Sequence, residues 1–390
     1  MTAASQCRSA SRPRPAADRH ADEAYQRHSL QGVSRTFALT IPVLPEALCR
    51  VVGNAYLLCR IADTIEDEAT LSAAQKQVFH REFIAVVRGE APADGFAARL
   101  SPLLSDRTLA AERDLIRHTA AVIRLTHGFN PAQRQALERC AALMGEGMER
   151  FGRHASRQGL HDLPALDWYC YYVAGVVGEM LTELFCDYSP AIARHRPQLL
   201  PLAVSFGQGL QMTNILKDIW EDHRRGVCWL PRDVFQRAGF DLPGLNAGDY
   251  RPAFGDGLRE LVGIARGHLR NALEYTLLIP KTEPGIRKFC LWAIGMAVLT
   301  LRRISRHPDF TAGRQVKISR AGVRATIAAT HWAVGNDSLL RVLFYGAALG
   351  LPAAAPGAYS LPSRWHGQAA PSLPDPADRS AGKPKNPIPQ

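Results

Sequence analysis

The chain has 390 residues, of which 46% are hydrophobic and 21% charged, a composition typical of a globular protein with one large or two modest domains. Its 8 cysteines include no CxxC pair, which disfavours a zinc site, and the Arg-rich first 24 residues show no signal peptide. We therefore expect reduced thiols in a cytoplasmic protein. The formal charge of +11 comes mainly from arginines that are scattered along the chain, without a lysine-rich block. This distribution disfavours nucleic acid as a partner and leaves an anionic membrane surface or a polyanionic substrate.

In chain order, residues 1–24 are predicted to be disordered, residues 25–351 to form one all-α domain, and residues 352–390 to form a disordered tail that holds 9 of the 26 prolines. Helical periodicity predicts the main helices at 44–68, 132–157, 165–186, 199–223 and 256–278. Loops are predicted at the Pro/Gly-rich segments 89–95 and 242–252. The apolar run 290–301 is shorter than the roughly 18 residues of a membrane span, so we expect a buried core helix.

Two of the predicted helices carry clusters of acidic residues within otherwise apolar sequence. The first cluster is Asp63, Glu66 and Asp67, and the second is Asp218, Glu221 and Asp222, with Asn214 one turn earlier. At about 3.6 residues per turn, the members of each cluster share one helix face. A single cluster of this kind is more often a solvated helix face, but two clusters in apolar surroundings favour an interior position.

Buried carboxylates at close quarters require cations, and oxygen-only ligation suits Mg²⁺, which commonly shares its coordination sphere with substrate phosphates. Two such helices facing a cavity are therefore predicted to hold a diphosphate through bridging Mg²⁺. Arg35, Arg60 and Lys217 are candidates for additional positive charge at the phosphate oxygens.

Four stretches in this order resemble the squalene/phytoene synthase family of head-to-head trans-prenyltransferases. They are SRTF (34–37), YLLCRIADTIED (56–67), YCYYVAGVVG (169–178), and LQMTNILKDIWED (210–222) followed by RRGVCWLP (224–231). The resemblance covers roughly residues 28–330. It implies a single large helical domain of the isoprenoid synthase type around a central cavity, in agreement with the all-α prediction.

Within the family, VAGVVG and QVKISRAG (315–322) are closer to the squalene-forming branch, whereas RRGVCWLP is closer to the phytoene-forming branch. Val227 stands where the family usually has an arginine, and Ser319 replaces a basic residue. These two departures concern the expected diphosphate and NADPH sites.

The resemblance implies condensation of two farnesyl diphosphates to presqualene diphosphate, followed by reduction with NADPH to squalene. Mg²⁺ ions would be held by Asp63, Asp67, Asp218 and Asp222, with Glu66, Glu221 and Asn214 as further ligands or supporting groups. Tyr169 is the candidate base for the proton-loss step, acting with the released diphosphate. The expected substrate-binding residues are Ser34, Arg35, Phe37, Tyr56, Arg60, Tyr172, Val173, Gly175, Gly178, Leu181, Gln211, Asn214, Lys217 and Phe289, and the expected NADPH-binding residues are Lys317 and Arg320.

Three alternatives remain open from the sequence. A presqualene diphosphate synthase or a phytoene synthase would omit the reductive step, and a non-catalytic helical binding protein would retain only the fold. The apolar segment 339–352 is either a final core helix or a peripheral membrane contact that helps to release product. The oligomeric state is not readable from these patterns.

Overall fold

A computed structural model of the chain describes residues 16–34, 36–153 and 155–354. Within these ranges the structure consists of helices and connecting loops without a β-strand; Leu160 and Pro231 form an isolated parallel bridge. The predicted all-α class is confirmed. The remaining residues, including most of both predicted tails and Arg35, lie outside the described part.

The N-terminal half of the fold comprises α1 (Ala16–Val33), α2 (Phe37–Thr40), α3 (Glu46–Asp67), α4 (Ala73–Arg88), α5 (Ala93–Leu100), α6 (Ala110–Arg117), α7 (Thr119–His127) and α8 (Pro131–Gly152). The C-terminal half comprises α9 (Leu163–Cys170), α10 (Val176–Tyr188), α11 (Pro190–Ala193), α12 (Arg196–Lys217), α13 (Ile219–Arg224), α14 (Arg232–Arg237), α15 (Pro252–Leu278), α16 (Pro284–Arg306), α17 (Gly313–Val316), α18 (Arg320–Ala333) and α19 (Asp337–Ala347). A π-helical turn, Tyr171–Gly175, joins α9 to α10, and 3₁₀ turns lie at Ile41–Val43, Ser101–Leu103 and Leu242–Gly244.

Several helix ends coincide with residues that supply missing hydrogen bonds. Ser72 and Asn130 begin α4 and α8 with reciprocal capping boxes to Gln75 and Gln133. Gly89 ends α4 with a φ of 79°, a left-handed conformation that favours glycine. The predicted loop at 89–95 therefore begins where the sequence placed it.

Helix α12 lies at the centre of the domain and packs against α10, α15 and α16. Its contact with the π-turn and α10 is very close, because a Cβ at Gly207 would overlap the carbonyl of Ala174 and one at Gly178 would overlap the carbonyl of Ala203. Glycine at both positions lets the backbones approach. This crossing fixes the position of the tyrosine-rich turn relative to the second acidic cluster.

Helix α16 is the one helix of the described ranges that is long and apolar enough to cross a membrane, with 61% of its most apolar window buried. It packs against α12, α15 and α18, and its Arg287 side chain is fully buried. Arg287 donates hydrogen bonds to the carbonyl of Val334 at 2.7 Å and to Asp337 at 2.5 Å. The expectation of a core helix at 290–301 agrees with this packing.

Several predicted boundaries need correction. The predicted helix 132–157 ends at Gly152, and the predicted loop 89–95 ends where α5 begins at Ala93. Residues 16–24, predicted to be disordered, belong to α1, whose inner face is polar: Asp22 accepts a hydrogen bond from Arg124 at 2.8 Å. The predicted helix 199–223 is interrupted at Asp218, and the predicted helix 165–186 contains the π-turn. Both interruptions fall at candidate site segments, where irregular helix geometry is common.

Candidate functional site

The first acidic cluster lies in the last turn of α3, where Arg60 organises the side chains. Arg60 donates a hydrogen bond to the Tyr56 hydroxyl at 3.0 Å, and its other guanidinium nitrogen lies 3.7 Å from an Asp63 oxygen. Tyr56 in turn donates to the carbonyl of Val33 at 3.2 Å. This chain of contacts holds the Arg60 guanidinium beside Asp63 and ties the end of α1 to α3.

The second cluster spans the break between α12 and α13. Asp218 occupies the break and lies 3.0 Å from the Lys217 ammonium, which also donates to the exposed Asn214 at 3.3 Å. Glu221 accepts a hydrogen bond from the backbone of Gly313 at 3.2 Å. The segment that contains the predicted NADPH-binding residues is thereby attached to this cluster.

The two clusters meet in the folded chain. Arg225, directly after α13, donates a hydrogen bond from its guanidinium to Asp67 at 2.9 Å. Both side chains remain more than half exposed, so the pair lies at the rim of the site. Glu66, also in the first cluster, lies 3.5 Å from His80 of α4.

Burial and the repulsion between neighbouring charges raise the pKa of three carboxylates in the site. Burial raises the pKa of Asp222 to about 7; Arg225 opposes the shift, and the neighbouring carboxylates of Asp218 and Asp67 add to it. Burial likewise raises the pKa of Asp63 to about 6, against the opposing charge of Arg60. The pKa of Asp218 is also raised by burial. A cation placed among these groups would relieve both effects.

The donor set fits Mg²⁺ that is shared with a substrate. The clustered ligands are carboxylate and amide oxygens, which this ion prefers. In the described ranges, however, no three His, Cys, Asp or Glu side chains converge on one point as in a closed metal cage. Mg²⁺ commonly binds through one or two carboxylates and completes its sphere with waters and phosphate oxygens, and the open arrangement is compatible with that mode.

Tyr169 lies between the two acidic clusters and the aromatic side chains of Trp229 and Phe151. Its ring stacks on Trp229 with centroids 4.1 Å apart and an interplanar angle of 11°, and Phe151 contacts it edge-on at 5.4 Å. Burial, reinforced by the charge of Asp222, raises the pKa of the Tyr169 phenol well above its ordinary value. The phenol is therefore protonated at neutral pH.

The loop that carries Trp229 is held by backbone hydrogen bonds on both sides. Cys228 donates to the carbonyl of Ser156 at 2.8 Å, and Leu160 donates to the carbonyl of Leu230 at 2.9 Å. Sequence reasoning quoted this loop but did not single out Trp229. The available signal was a large aromatic residue seven positions after Asp222, within the motif RRGVCWLP.

The π-turn directs the side chain of Tyr172 away from the two acidic clusters. Tyr172 is buried against α8, where its hydroxyl donates to Glu146 at 3.2 Å. A Cβ at Gly147 would overlap the Tyr172 side chain, so glycine is needed at that contact. Within the described residues, Val173 and Leu181 are half-buried.

A small apolar cavity of about 10 Å³, enough for about one water molecule, lies between α3, α8 and α10. Its lining is Ala55, Leu58, Cys59, Ala62, Leu137, Cys140, Ala141, Met144 and Met180. Ala62 immediately precedes Asp63, so the cavity begins next to the acids. It is far smaller than the roughly 300–1,000 Å³ of a typical ligand pocket, so a prenyl chain would enter here only if the surrounding helices moved apart.

The remaining predicted residues occupy different environments. Ser34 accepts a hydrogen bond from the backbone of Phe37 at 2.9 Å and so begins α2, and the Phe37 ring lies 5.0 Å from that of Tyr56. Phe289 is buried in the core against Phe185. Gly175 is buried, Gln211 is half-buried, and Lys317 and Arg320 are exposed.

Comparison with known proteins identifies the family. The family model described as "Squalene/phytoene synthase" matches residues 30–322. The chain belongs to the squalene/phytoene synthase family. Among curated family members, the squalene synthase of Eremothecium gossypii is 30% identical over 70% of this chain and 60% of its own length. A Candida albicans squalene synthase is 30% identical over 72% of this chain and 61% of its own length.

The chain thus spans about three fifths of the length of the curated relatives it matches.

Solved structures of the family share the fold of this chain. A TcSQS structure with the ligand BPH1237 superposes with a TM-score of 0.64 at 23% identity, covering 84% of this chain and 91% of that chain. A dehydrosqualene synthase in complex with a ligand gives a TM-score of 0.61 at 20% identity, covering 82% and 98%.

Proposed function

We propose that this family member is a squalene synthase that condenses two farnesyl diphosphates to presqualene diphosphate and reduces it with NADPH to squalene. The observation that carries the proposal is that carboxylates of both acidic clusters, Asp222 of the second and Glu66 and Asp67 of the first, lie close enough to Tyr169 to raise its pKa. Relatives named squalene synthase support the choice of product.

Asp63, Asp67, Asp218 and Asp222 would hold Mg²⁺, with Glu66, Glu221 and Asn214 beside them, and the ion would supply Lewis-acid charge to the diphosphate. Arg60, Lys217 and Arg225 are placed to donate hydrogen bonds to the leaving phosphate oxygens. Breaking the C1–O bond then leaves an allylic cation, which the C2=C3 bond of the second farnesyl attacks.

Closure of the cyclopropane releases a proton from the cation. Because the Tyr169 phenol is protonated at rest, it accepts this proton only as it passes its own to the departing diphosphate. Tyr169 therefore acts as a relay between substrate and leaving group.

The reductive half-reaction separates this proposal from the second candidate, a presqualene diphosphate synthase, which lacks it. Lys317 and Arg320 are exposed near the second cluster, where they suit the phosphates of NADPH. Ser319, which replaces a basic residue, accepts a hydrogen bond from Gly322 at 3.1 Å and begins α18. Its side chain serves as a helix cap and offers the cofactor no charge.

A product assay distinguishes the two. Purified protein is incubated with farnesyl diphosphate and Mg²⁺, with and without NADPH, and the products are identified by mass spectrometry. Squalene that forms only with NADPH supports the proposal. Presqualene diphosphate under both conditions selects the second candidate, whereas conversion of geranylgeranyl diphosphate alone would select a phytoene synthase, and no conversion a binding protein.

We further propose a cytoplasmic location with peripheral contact to a membrane, since the product would be a hydrocarbon that is insoluble in water.

A further inference from the structure

The wall of the small cavity between α3, α8 and α10 contains two neighbouring thiols, Cys59 of α3 and Cys140 of α8. Both are free thiols in the structure. Cys140 is buried and lies in side-chain hydrogen-bond contact with Cys59, and this contact together with burial raises the pKa of the Cys140 thiol well above its ordinary value. Cys59 is half-buried. The pair therefore combines an accessible thiol with an enclosed one beside it.

Small side chains next to the pair allow α3 and α8 to pack closely. Ala55 and Ala62 lie one turn before and one turn after Cys59 on the same face of α3, and Ala141 follows Cys140 on α8. A disulfide requires Cα atoms roughly 4.4–6.8 Å apart. Side chains that already touch between closely packed helices can reach this geometry with little movement of the backbone.

The position of the pair links it to the first acidic cluster. Cys59 lies one helical turn before Asp63, and Ala62, which also lines the cavity, directly precedes that acid. Because the cavity holds only about 10 Å³, a larger apolar group fits there only when α3 and α8 separate. A covalent bond between Cys59 and Cys140 would prevent that separation.

We propose that Cys59 and Cys140 form a disulfide when the chain meets a peroxide, and that this bond holds α3 against α8. In the first step the Cys59 sulfur attacks one peroxide oxygen and the O–O bond breaks, which gives a sulfenic acid and releases water formed with the thiol proton. The Cys140 sulfur then attacks the sulfenic sulfur, the S–O bond breaks, and the departing hydroxide leaves as water with the Cys140 proton. Two thiols thus lose two electrons and two protons, and one peroxide becomes two waters.

The environments of the two thiols fix the order of these steps. Cys140 is enclosed and stays protonated at neutral pH, so Cys59 is the thiol that reacts with the peroxide. Formation of the bond does not depend on the reaction catalysed. Its effect on turnover rests on the proposed function, because a prenyl chain that needs α3 and α8 to move apart would be excluded.

The test treats the full chain with hydrogen peroxide, blocks the remaining thiols with N-ethylmaleimide and digests the unfolded product with trypsin in the absence of reductant. The two cysteines then lie in separate peptides, 51–60 and 140–150, each with a single cysteine, and mass spectrometry detects the linked pair. Hydrogen exchange in α3 and α8 before and after oxidation measures whether the helices are held together. The variant Cys140→Ala removes the partner, and Cys49→Ala, which removes another half-buried cysteine of α3, is the matched control. Thermal unfolding establishes that each variant is folded.

We expect the link between 51–60 and 140–150 to exceed any other disulfide about tenfold or more, to be absent in Cys140→Ala and to be unchanged in Cys49→Ala. Oxidation should slow hydrogen exchange in α3 and α8 and lower conversion of farnesyl diphosphate about tenfold, and dithiothreitol should reverse both effects.

The proposal would be overturned by the absence of this link in the folded chain, by equal yields of other disulfides, or by a link that leaves hydrogen exchange unchanged. An equal loss of conversion in oxidised Cys140→Ala would overturn the assigned effect on turnover. A reduced chain that converts no farnesyl diphosphate would count against the proposed function instead, while the linked peptides and the hydrogen exchange still decide the role of the thiol pair.

Discussion

The stack between Tyr169 and Trp229 leads to a specific prediction about turnover. In Trp229→Leu the indole is removed, while the loop retains its backbone hydrogen bonds at Cys228 and Leu230. The phenol then loses the flat surface that restricts its rotation and lateral movement. Trp229→Phe retains an aromatic ring at the same position and is the matched control.

The magnitude follows from the geometry. Centroids 4.1 Å apart with an 11° interplanar angle describe a stacked pair. Such pairs contribute about 0.5–1.5 kcal/mol beyond the area that they bury. If this energy is used to orient the phenol, its loss lowers kcat about 2- to 13-fold. KM should change less, because Trp229 orients the proton relay and does not hold the diphosphate.

The assay is steady-state formation of presqualene diphosphate, with kcat and KM determined separately for Trp229→Leu, Trp229→Phe and both changes in a Tyr169→Phe background. If Trp229 acts through the phenol, Trp229→Leu causes no further loss once the hydroxyl is absent. An unchanged kcat in Trp229→Leu, or the same fold loss in both backgrounds, would refute the reasoning.

Three further predictions address the metal ligands and the packing. Asp218→Asn should abolish Mg²⁺-dependent turnover without lowering the melting temperature, since it removes a desolvated charge; full activity in this variant would contradict the metal assignment. Gly207→Ala should destabilise the chain by about 1–3 kcal/mol in chemical denaturation, because its Cβ overlaps the carbonyl of Ala174. Gly346→Ala, where a Cβ meets nothing, should be neutral or stabilising and is the control. Arg287→Met should cost about 1–3 kcal/mol by the same measurement, because it removes the hydrogen bonds of a buried side chain to Val334 and Asp337, and no measurable loss would argue against a structural role.

Two long-range features of the site, the inward position of the acidic clusters and their proximity, were predicted from patterns that are local in the sequence. Carboxylates at helical spacing within apolar sequence predicted an inward position in both clusters, and shared chemistry predicted that the clusters meet. Arg225, three residues after the second cluster, contacts Asp67 of the first, whereas the exposure of Asp67 and Asn214 differs from the predicted inward position, and the metal assignment stays a prediction. The family resemblance added the fold type, which the solved relatives confirm.

Features that depend on tertiary contacts were not predictable in the same way. The inner side of α1 is formed partly by Asp22 and Gln26, whose polar groups pair with Arg124 and with the carbonyl of Arg50. Hydrophobic periodicity cannot detect a helix that is buried through polar contacts. For the same reason, nothing in the local pattern of RRGVCWLP indicated that a hydrogen-bonded loop would place Trp229 on Tyr169.

Arg225 and Arg60, the two arginines that contact the first acidic cluster, differ in how readily substrate could displace them. Arg225 and Asp67 are both more than half exposed, and exposed pairs of this kind contribute about 1 kcal/mol or less. An incoming diphosphate with Mg²⁺ can therefore break this ion pair at little cost in free energy. The Mg²⁺ would then contact the Asp67 carboxylate, and the phosphate would contact Arg225. Arg60 is held beside Asp63 by its hydrogen bond to the Tyr56 hydroxyl. We infer that Arg60 is a preorganised part of the site, whereas Arg225 is recruited to the phosphate when the rim pair opens.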